Sequence, residues 1–350
     1  MKLGALPENP LELAALVARL APTPLLDTLI ALLLAHSVLA ATQLGVFETL
    51  AGGPLPAEVI AERCATEPRA TEKLLGALAG AGYLRFRAGR FSLAPVARKW
   101  LLKESPHSLY DALLLQVLDE RFVARTEEFV RTGEPADLHE TLSPAEWGLY
   151  QRGMRSGANL VAGELARRIP VPTRAHDLLD IGGGHGYYSV ALCKRHANLR
   201  AVVLDLPEAV AAAAPLLARE GLGDRVTHQP GDALTADLGT DAYDVILIAN
   251  LLHHFVAEQC AALVRRAARA LRPGGILVIG DMVRPRFPGA GGQLGALTDL
   301  YFALTSRAGT YSLEELAGWQ RAAGLRPKRP IRLLTGPGAA LLVGVKVHSD

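Results

Sequence analysis

The sequence has little cysteine and almost no net charge. Its three cysteines, Cys64, Cys193 and Cys260, are far apart and odd in number. That excludes a disulfide framework and a Cys-pair zinc site. Three free thiols suit a reducing compartment, and a cytoplasmic location is expected. Lys and Arg number 37 against 35 Asp and Glu, a net charge of +2. This is too close to neutral for a chain that engages nucleic acid or an anionic membrane by charge. Metal-ligand spacing is also missing. The pair His253 and His254, with Asp281 and Asp299, is the nearest approach to a metal site, and no metal is expected. Half of the residues are hydrophobic and 21% are charged in 350 residues. That is a globular balance, with length for one large domain or two ordinary ones.

One long apolar run is present. Residues 28–47, TLIALLLAHSVLAATQLGVF, contain no Asp, Glu, Lys or Arg. The length would allow a membrane span, but His36, Ser37, Thr42 and Gln43 interrupt it and no basic cluster flanks it. Without a basic n-region it is no signal peptide either. It reads as a buried helix or helix pair, and its apolarity on all faces points to an oligomer interface. Before it, Leu11–Leu20 is amphipathic between Pro10 and Pro22. After it come two short helices, Leu55–Cys64 and Arg69–Gly80. The alternating segments around Ala88-Gly89 then signal a hairpin. Helix, helix, hairpin is a winged-helix pattern. Over residues 1–105 basic residues barely outnumber acidic ones, a poor phosphate-binding surface. A dimerising winged helix is therefore expected over a DNA reader.

Residues 106–172 read as a helical middle, with apolar spacing of three and four over Leu109–Leu118, Arg121–Thr132 and Pro144–Ile169. Trp147, Tyr150 and Met154 share one helix face, suited to core packing or to covering a flat ligand. Pro170-Val171-Pro172 marks a linker. From 173 to 350 the period changes. Apolar runs at Asp177–Ile181, Ala201–Asp205, Arg225–Gln229, Tyr243–Ala249 and Ile276–Asp281 alternate with helical ones, the pattern of a doubly wound, mostly parallel α/β sheet. Arg272-Pro273-Gly274-Gly275 reads as a tight turn into the fifth strand. Helices near Gln293–Ser306 and Ser312–Ala323 follow. Ile331–Leu334 and Ala339–Val347 are expected to add an antiparallel hairpin at the edge.

The chemistry centres on HDLLDIGGGHG, residues 176–186. A buried strand running into glycines brings backbone close to a ligand. Gly182, Gly184 and Gly186 are spaced G-x-G-x-G, and Tyr187 stands where a dinucleotide loop wants its third Gly. Asp180 ahead of the glycines suits a cationic ligand and repels a pyrophosphate. Together these favour S-adenosylmethionine over a dinucleotide. Asp205, with Leu206 beside it, ends the second strand, where a carboxylate accepts from ribose hydroxyls. Asp232 follows the third strand and is placed for an adenine amino group. Each Asp alone could be a turn or cap residue; three at successive strand ends weaken that reading. The fourth strand ends in Asn250-Leu251-Leu252-His253-His254-Phe255, so the His pair falls near the ligand. Adjacent residues diverge, so one of the two is expected to act, as a base toward a hydroxyl. Asp281 is positioned to orient that imidazole.

With these residues in view, the chain resembles the two-domain S-adenosylmethionine-dependent O-methyltransferases, the group of plant caffeate, acetylserotonin and bacterial natural-product enzymes. The resemblance spans nearly the whole length. It is carried by DIGGGHG (180–186), VVLDLPEAV (202–210), GDAL (231–234), LLHHF (251–255) and RPGGILVIGD (272–281). It implies a Rossmann-like class I methyltransferase domain behind a winged-helix dimerisation domain, and an intertwined homodimer. By position it implies that Gly182 and its neighbours hold the methionine portion, and Asn250 is a further cofactor-binding candidate. Asp205 would bind the ribose, Asp232 and Ala233 border the adenine, and His253 act as base with Asp281 as partner. Two departures stand out. Plant members have His-Asp-Trp where this chain has His253-His254-Phe255. They also carry a second carboxylate in the segment that here reads Arg307-Ala308-Gly309-Thr310.

The reading is methyl transfer to a hydroxyl, phenolic, of a small aromatic or polyketide-like acceptor, in a pocket near Trp147, Met154, Tyr301 and Phe302. The alternatives are C- or N-methylation, a cofactor-binding relative without transfer, and, further off, a DNA-binding regulator.

Overall fold

The computed structural model describes residues 4–290 and 292–347. The chain divides into two compact units, Lys2–Val117 and Leu118–Asp350.

In the first unit, the apolar run belongs to one continuous helical segment, Thr23–Gln43. A π-turn lies at Leu26–Ile30, and Gly45 in a left-handed conformation (φ 74°) ends the segment. The expectation of a buried helix is corrected here. Val38, Ala41 and Thr42 are buried, while Leu25, Leu29, Ile30, Leu32 and Leu33 are exposed. The unit has too few apolar neighbours to cover both faces of so apolar a helix. The segment is long and apolar enough to cross a membrane by length and composition. Helices Ala57–Cys64 and Pro68–Gly80 follow, then strands β1 (Leu84–Arg87) and β2 (Arg90–Leu93). Ala88 and Gly89 both have positive φ, the backbone of a two-residue hairpin turn. Leu55 bridges to Phe91 as a third partner. Ile60, Leu75, Leu78, Leu84, Phe91 and Leu93 pack with Phe47 and Leu50 in one core. This is the winged-helix arrangement.

The second unit begins in helices. The helix expected over Pro144–Ile169 is two, Pro144–Ala158 and Ala162–Arg168. Its start is fixed by a capping box between Ser143 and Glu146, which satisfies two orphan backbone donors. The sheet then forms from β3 (Asp177–Ile181), β4 (Arg200–Asp205), β5 (Val226–Pro230), β6 (Tyr243–Ala249), β7 (Leu271–Met282), β8 (Leu325–Pro327), β9 (Ile331–Arg332) and β10 (Ala339–Lys346). Their order is β5-β4-β3-β6-β7-β10-β8, with β9 also on β10. The first five run parallel. β10 is antiparallel to β7 and receives β8 and β9 on its other side. The expected edge hairpin is thus present, with a short strand, β8, that its three residues did not announce.

The central strands β3, β6, β7 and β10 are buried on both faces, which explains their nearly unbroken apolar runs. Leu178, Val245, Leu247 and Val278 face one core with Leu165, Val190 and Leu192. Their strand neighbours Leu179, Ile246, Ile248 and Leu277 face a second core with Leu263, Val264 and Leu316. One structural expectation fails in detail. Arg272-Pro273-Gly274-Gly275 does not precede the fifth strand but lies inside β7, which starts at Leu271 opposite Tyr243 and shifts register before Val245. Arg272 there reaches Asp177 at 2.8 Å and Asp244 at 2.9 Å, tying β3, β6 and β7 together at the end remote from the glycine loop.

Candidate functional site

The carboxyl ends of β3, β4, β5 and β6 open into a cavity of about 340 Å3. Open α/β sheets hold ligands at this edge, where the strand order reverses. Here it reverses between β3 and β6.

The glycine loop forms one wall. Gly182 and Gly184 have φ of 69° and 49°, a backbone that side chains resist. A Cβ on Gly182 would stand 2.6 Å from Leu251, and one on Gly184 would stand 2.8 Å from Gln151 Oε1. The loop is fastened internally. Gly182 N donates to Leu204 O, Gly186 N to Gly183 O, and His228 Nε2 donates to Gly184 O at 2.8 Å. Asp205 accepts from Gly184 N and Leu206 N, both at 2.7 Å. Burial raises its carboxyl above the usual range, and these two backbone donors oppose the rise. Asp232 accepts from Leu234 N at 2.8 Å, so it caps its own turn while lining the cavity with Ala233. Asn250 adopts φ 52° where β6 ends. Such a conformation in a non-glycine residue marks a spot held by its surroundings; Asn250 N donates to Gly280 O and its Nδ2 to Tyr188 Oη at 3.4 Å.

Asp180 is placed differently from the sequence expectation. It is absent from the cavity wall. Its carboxylate is fully buried beneath the loop, accepting from Ser189 Oγ at 2.7 Å. A Cβ on Gly183 would stand 2.5 Å from its Cγ. Burial pushes its carboxyl up to about 7, against the lowering by Ser189. The carboxylate therefore supports the loop from below and is not on the cavity wall.

The far wall is aromatic. Trp147, Tyr150 and Met154 all line the cavity, as the shared helix face implied. They are joined by His139, from the four-residue helix Leu138–Thr141. Its ring stacks on Trp147 at 5.5 Å and meets Tyr150 and His254 edge-on at 5.1 and 4.5 Å. His254 is hydrogen-bonded to Ser306 Oγ at 3.0 Å. Burial lowers His139 to about 4, with Asp137 opposing and His253 adding to the fall. Burial, then His253 and His139, lowers His254 well below the ordinary value. Both imidazoles are thus neutral hydrogen-bonding groups at neutral pH.

His253 and Asp281 meet behind this wall. Nδ1 of His253 donates to Asp281 Oδ1 at 2.8 Å, and Asp281 is itself held by Met282 N. His253 is 2% exposed, 4.1 Å from His254 between ring centroids and stacked on Phe302 at 3.9 Å. Of the adjacent histidines, His254 lines the cavity and His253 does not. Tyr301 and Phe302 are likewise absent from the wall. Tyr301 turns to donate to Asp119 at 2.9 Å, and Phe302 covers His253. The segment 307–310 supplies no acid. Arg307 instead pairs with Glu140 at 2.7 Å and Asp137 at 3.4 Å across the cavity rim. Sequence reasoning missed His139, Gln151 and Tyr188. The segment of His139 lacked a motif, whereas Gln151 lies next to Tyr150 on the face already singled out and Tyr188 closely follows the glycine motif.

The donor set fits S-adenosylmethionine. Asp205 presents a carboxylate acceptor to the cavity at the end of β4, and the glycines leave a cradle that a Cβ would fill. Among the described residues Arg307 is the only Lys or Arg on the cavity wall, and carboxylates already engage it. A phosphate-rich ligand would find no free cation there.

Comparison with known proteins agrees. Residues 129–324 match the O-methyltransferase domain family, and 26–103 match the O-methyltransferase dimerisation domain. The chain is 30% identical over 322 residues to acetylserotonin O-methyltransferase of Mus musculus, covering 83% of this chain and 82% of that one. It is 27% identical over 338 residues to 3-hydroxy-5-methyl-1-naphthoate 3-O-methyltransferase of Streptomyces sahachiroi, covering 93% and 95%. The crystal structure of human N-acetylserotonin methyltransferase in complex with S-adenosylmethionine superposes with a TM-score of 0.82 over 92% of this chain and 96% of that one, at 20% identity. The fold, the fitted cavity and these matches together place the chain in the family of S-adenosylmethionine-dependent O-methyltransferases with an N-terminal dimerisation domain.

Proposed function

We propose that the acceptor is a small planar aromatic or polyketide-like molecule methylated at a phenolic hydroxyl, with His253 as base and Asp281 as its positioning partner. The observation that carries this is the buried His253–Asp281 pair, 2.8 Å apart, one imidazole away from the cavity. With Nδ1–H engaged by the carboxylate, Nε2 of His253 keeps the lone pair that takes a proton. S-adenosylmethionine, when bound, supplies an activated methyl group. The chain's residues do the rest. Asp205 accepts from the ribose hydroxyls, Asp232 and Ala233 border the adenine, and Gly182 to Gly184 with Asn250 border the methionine portion. Trp147, Tyr150 and His139 offer flat faces to a ring, and Phe302 must yield for an acceptor hydroxyl to meet His253. The relatives named above act, by their names, on acetylserotonin and on 3-hydroxy-5-methyl-1-naphthoate. Incubation with S-adenosylmethionine and a panel of phenols, read by mass spectrometry and NMR, is expected to give an O-methylated product. A product methylated only at carbon or nitrogen would overturn the reading, as would donor binding with no product from any acceptor.

The exposed apolar face of the Thr23–Gln43 segment supports a homodimer. Burying five leucine and isoleucine side chains at about 25 cal/mol per Å2 of apolar surface is a sizeable drive for association. Light scattering is expected to give twice the mass of the chain, 37.2 kDa. A wholly monomeric protein at micromolar concentration would remove the assignment. Three free cysteines support a cytoplasmic location.

A further inference from the structure

Four buried side-chain polar atoms lack a hydrogen-bond partner among the described residues: Gln151 Oε1, Asp180 Oδ1, His196 Nε2 and Gln320 Oε1. Only one of them, Gln151 Oε1, belongs to a residue of the cavity wall. Gln151 is 3% exposed and projects from the helix Pro144–Ala158 onto the glycine loop, where Oε1 lies 2.8 Å and Nε2 3.4 Å from the position of a Cβ on Gly184. Buried polar groups are normally satisfied, and an exception inside a binding site points to a missing partner.

The chemistry of that partner follows from what the neighbouring groups already do. The nucleoside end of the donor has Asp205 and Asp232. The amino-acid end carries an ammonium and a carboxylate and has fewer hosts. The loop amides of Gly182, Gly184 and Gly186 are already bonded to Leu204 O, Asp205 and Gly183 O. The carbonyl of Gly184 is taken by His228, and Arg307 is paired at the rim. A primary amide offers one acceptor and two donor hydrogens on one small group, the complement of a zwitterion.

We propose that Gln151 binds the amino-acid end of S-adenosylmethionine, Oε1 accepting from the ammonium and Nε2 donating to the carboxylate. The inference rests on the assignment of this cavity to that donor.

The test is calorimetry with two ligands. S-adenosylhomocysteine carries the amino-acid end; 5′-methylthioadenosine keeps adenine, ribose and sulfur but lacks it. In Gln151→Met, the dissociation constant for S-adenosylhomocysteine is expected to rise about ten-fold, or about 1.4 kcal/mol, while that for 5′-methylthioadenosine stays within two-fold. The ligand-free unfolding midpoint should not fall, because an unpaired buried oxygen is removed. Its upward shift on adding S-adenosylhomocysteine should shrink. Gln151→Leu also removes both the acceptor and the donors and should show the same contrast between ligands, a second variant in case the Met variant folds poorly. Unchanged affinity for S-adenosylhomocysteine overturns the proposal, and so does an equal loss for both ligands. A wild-type chain that binds neither ligand would instead defeat the donor assignment itself.

Discussion

The two ends of the cavity are built from different materials. The end proposed to hold the donor is made of strand termini and backbone: Gly182 to Gly184, Asp205, Asp232 and Asn250, each at or just past the end of a parallel strand. The acceptor end is made of side chains from separate helical segments: Trp147 and Tyr150 from one helix, His139 from a four-residue helix, His254 from a 3-10 turn, and Ser306 and Arg307 beyond another helix. The donor end has little freedom, because loop glycines, strand register and buried Asp180 fix it together. The acceptor end can change by substituting single rings. A fold that keeps one methyl donor while varying the acceptor needs this division.

The sharpest break of the comparison is at His253, proposed above as the base toward the acceptor. His253→Ala is expected to lower kcat/KM by about 10²–10⁴-fold, the usual contribution of a positioned base. Affinity for S-adenosylhomocysteine by calorimetry should stay within two-fold. A parallel loss of both would mean that the ends are not separable. Asp205→Ala is the converse. It should raise the dissociation constant of S-adenosylhomocysteine by about ten-fold or more, as expected for lost hydrogen bonds to a charged group. Turnover at saturating donor should remain near that of the wild type. If the affinity holds, Asp205 is not at the ribose.

The same division explains what the sequence revealed. The parallel sheet, the glycine loop and the strand-end placement of the acids at 205 and 232 were legible because close backbone approach and strand-end position restrict residue type locally. Asp180 was read in the right place with the wrong orientation. Its position two residues before Gly182 is a matter of sequence, but whether a carboxylate points up into the cavity or down onto Ser189 depends on packing across the sheet. His139 was invisible for a related reason. Its helix is one turn long, and its role arises only where Trp147, Tyr150 and His254 converge on it. In sequence the Thr23–Gln43 segment reads both as buried and as an interface, because an apolar face reads the same whether its cover lies within the chain or outside it; within the chain, half of it is exposed.

A pH titration probes the buried ionisable groups of both ends. His139 at about 4 and His254 well below its ordinary value are held neutral by burial, as is His185 at about 3. In the unfolded chain they protonate near pH ~6.5. Below that the unfolded state binds more protons, so stability falls as pH drops from about 6.5 toward 4, by about 1.4 kcal/mol per pH unit for each unmatched proton. Asp180 works the other way. With a folded value of about 7 against 3.8, it binds its proton in the folded state and returns one proton's worth over the same window. Asp205 and Asp119, whose carboxyls burial also raises, act in the same direction as Asp180. Between pH 7 and 5 the three histidines set the sign, a net loss on acidification. Urea unfolding of the ligand-free protein at pH 7 and pH 5 is expected to show lower stability at pH 5, and His254→Asn should flatten the dependence. Equal stability at the two values would show that these imidazoles are hydrated.

The smallest effect is expected at the rim. Arg307 pairs with Glu140 and Asp137, but its side chain is 60% exposed, and exposed pairs contribute only about 0–1 kcal/mol. Arg307→Gln should therefore leave the unfolding midpoint nearly unchanged. It should also leave affinity for S-adenosylhomocysteine unchanged, because the nucleoside contacts lie at the other end. What it frees is the helix Leu138–Thr141, which Arg307 ties to the segment after Thr305 and which carries His139 into the aromatic wall. Loosening that helix lets the wall sample more positions, so the acceptor's KM is expected to rise a few-fold with kcat little altered. The KM change should fade in the double variant Arg307→Gln with His139→Ala, where the ring that the tether positions is already gone. Full additivity of the two substitutions would instead assign Arg307 a direct part in acceptor binding, independent of His139.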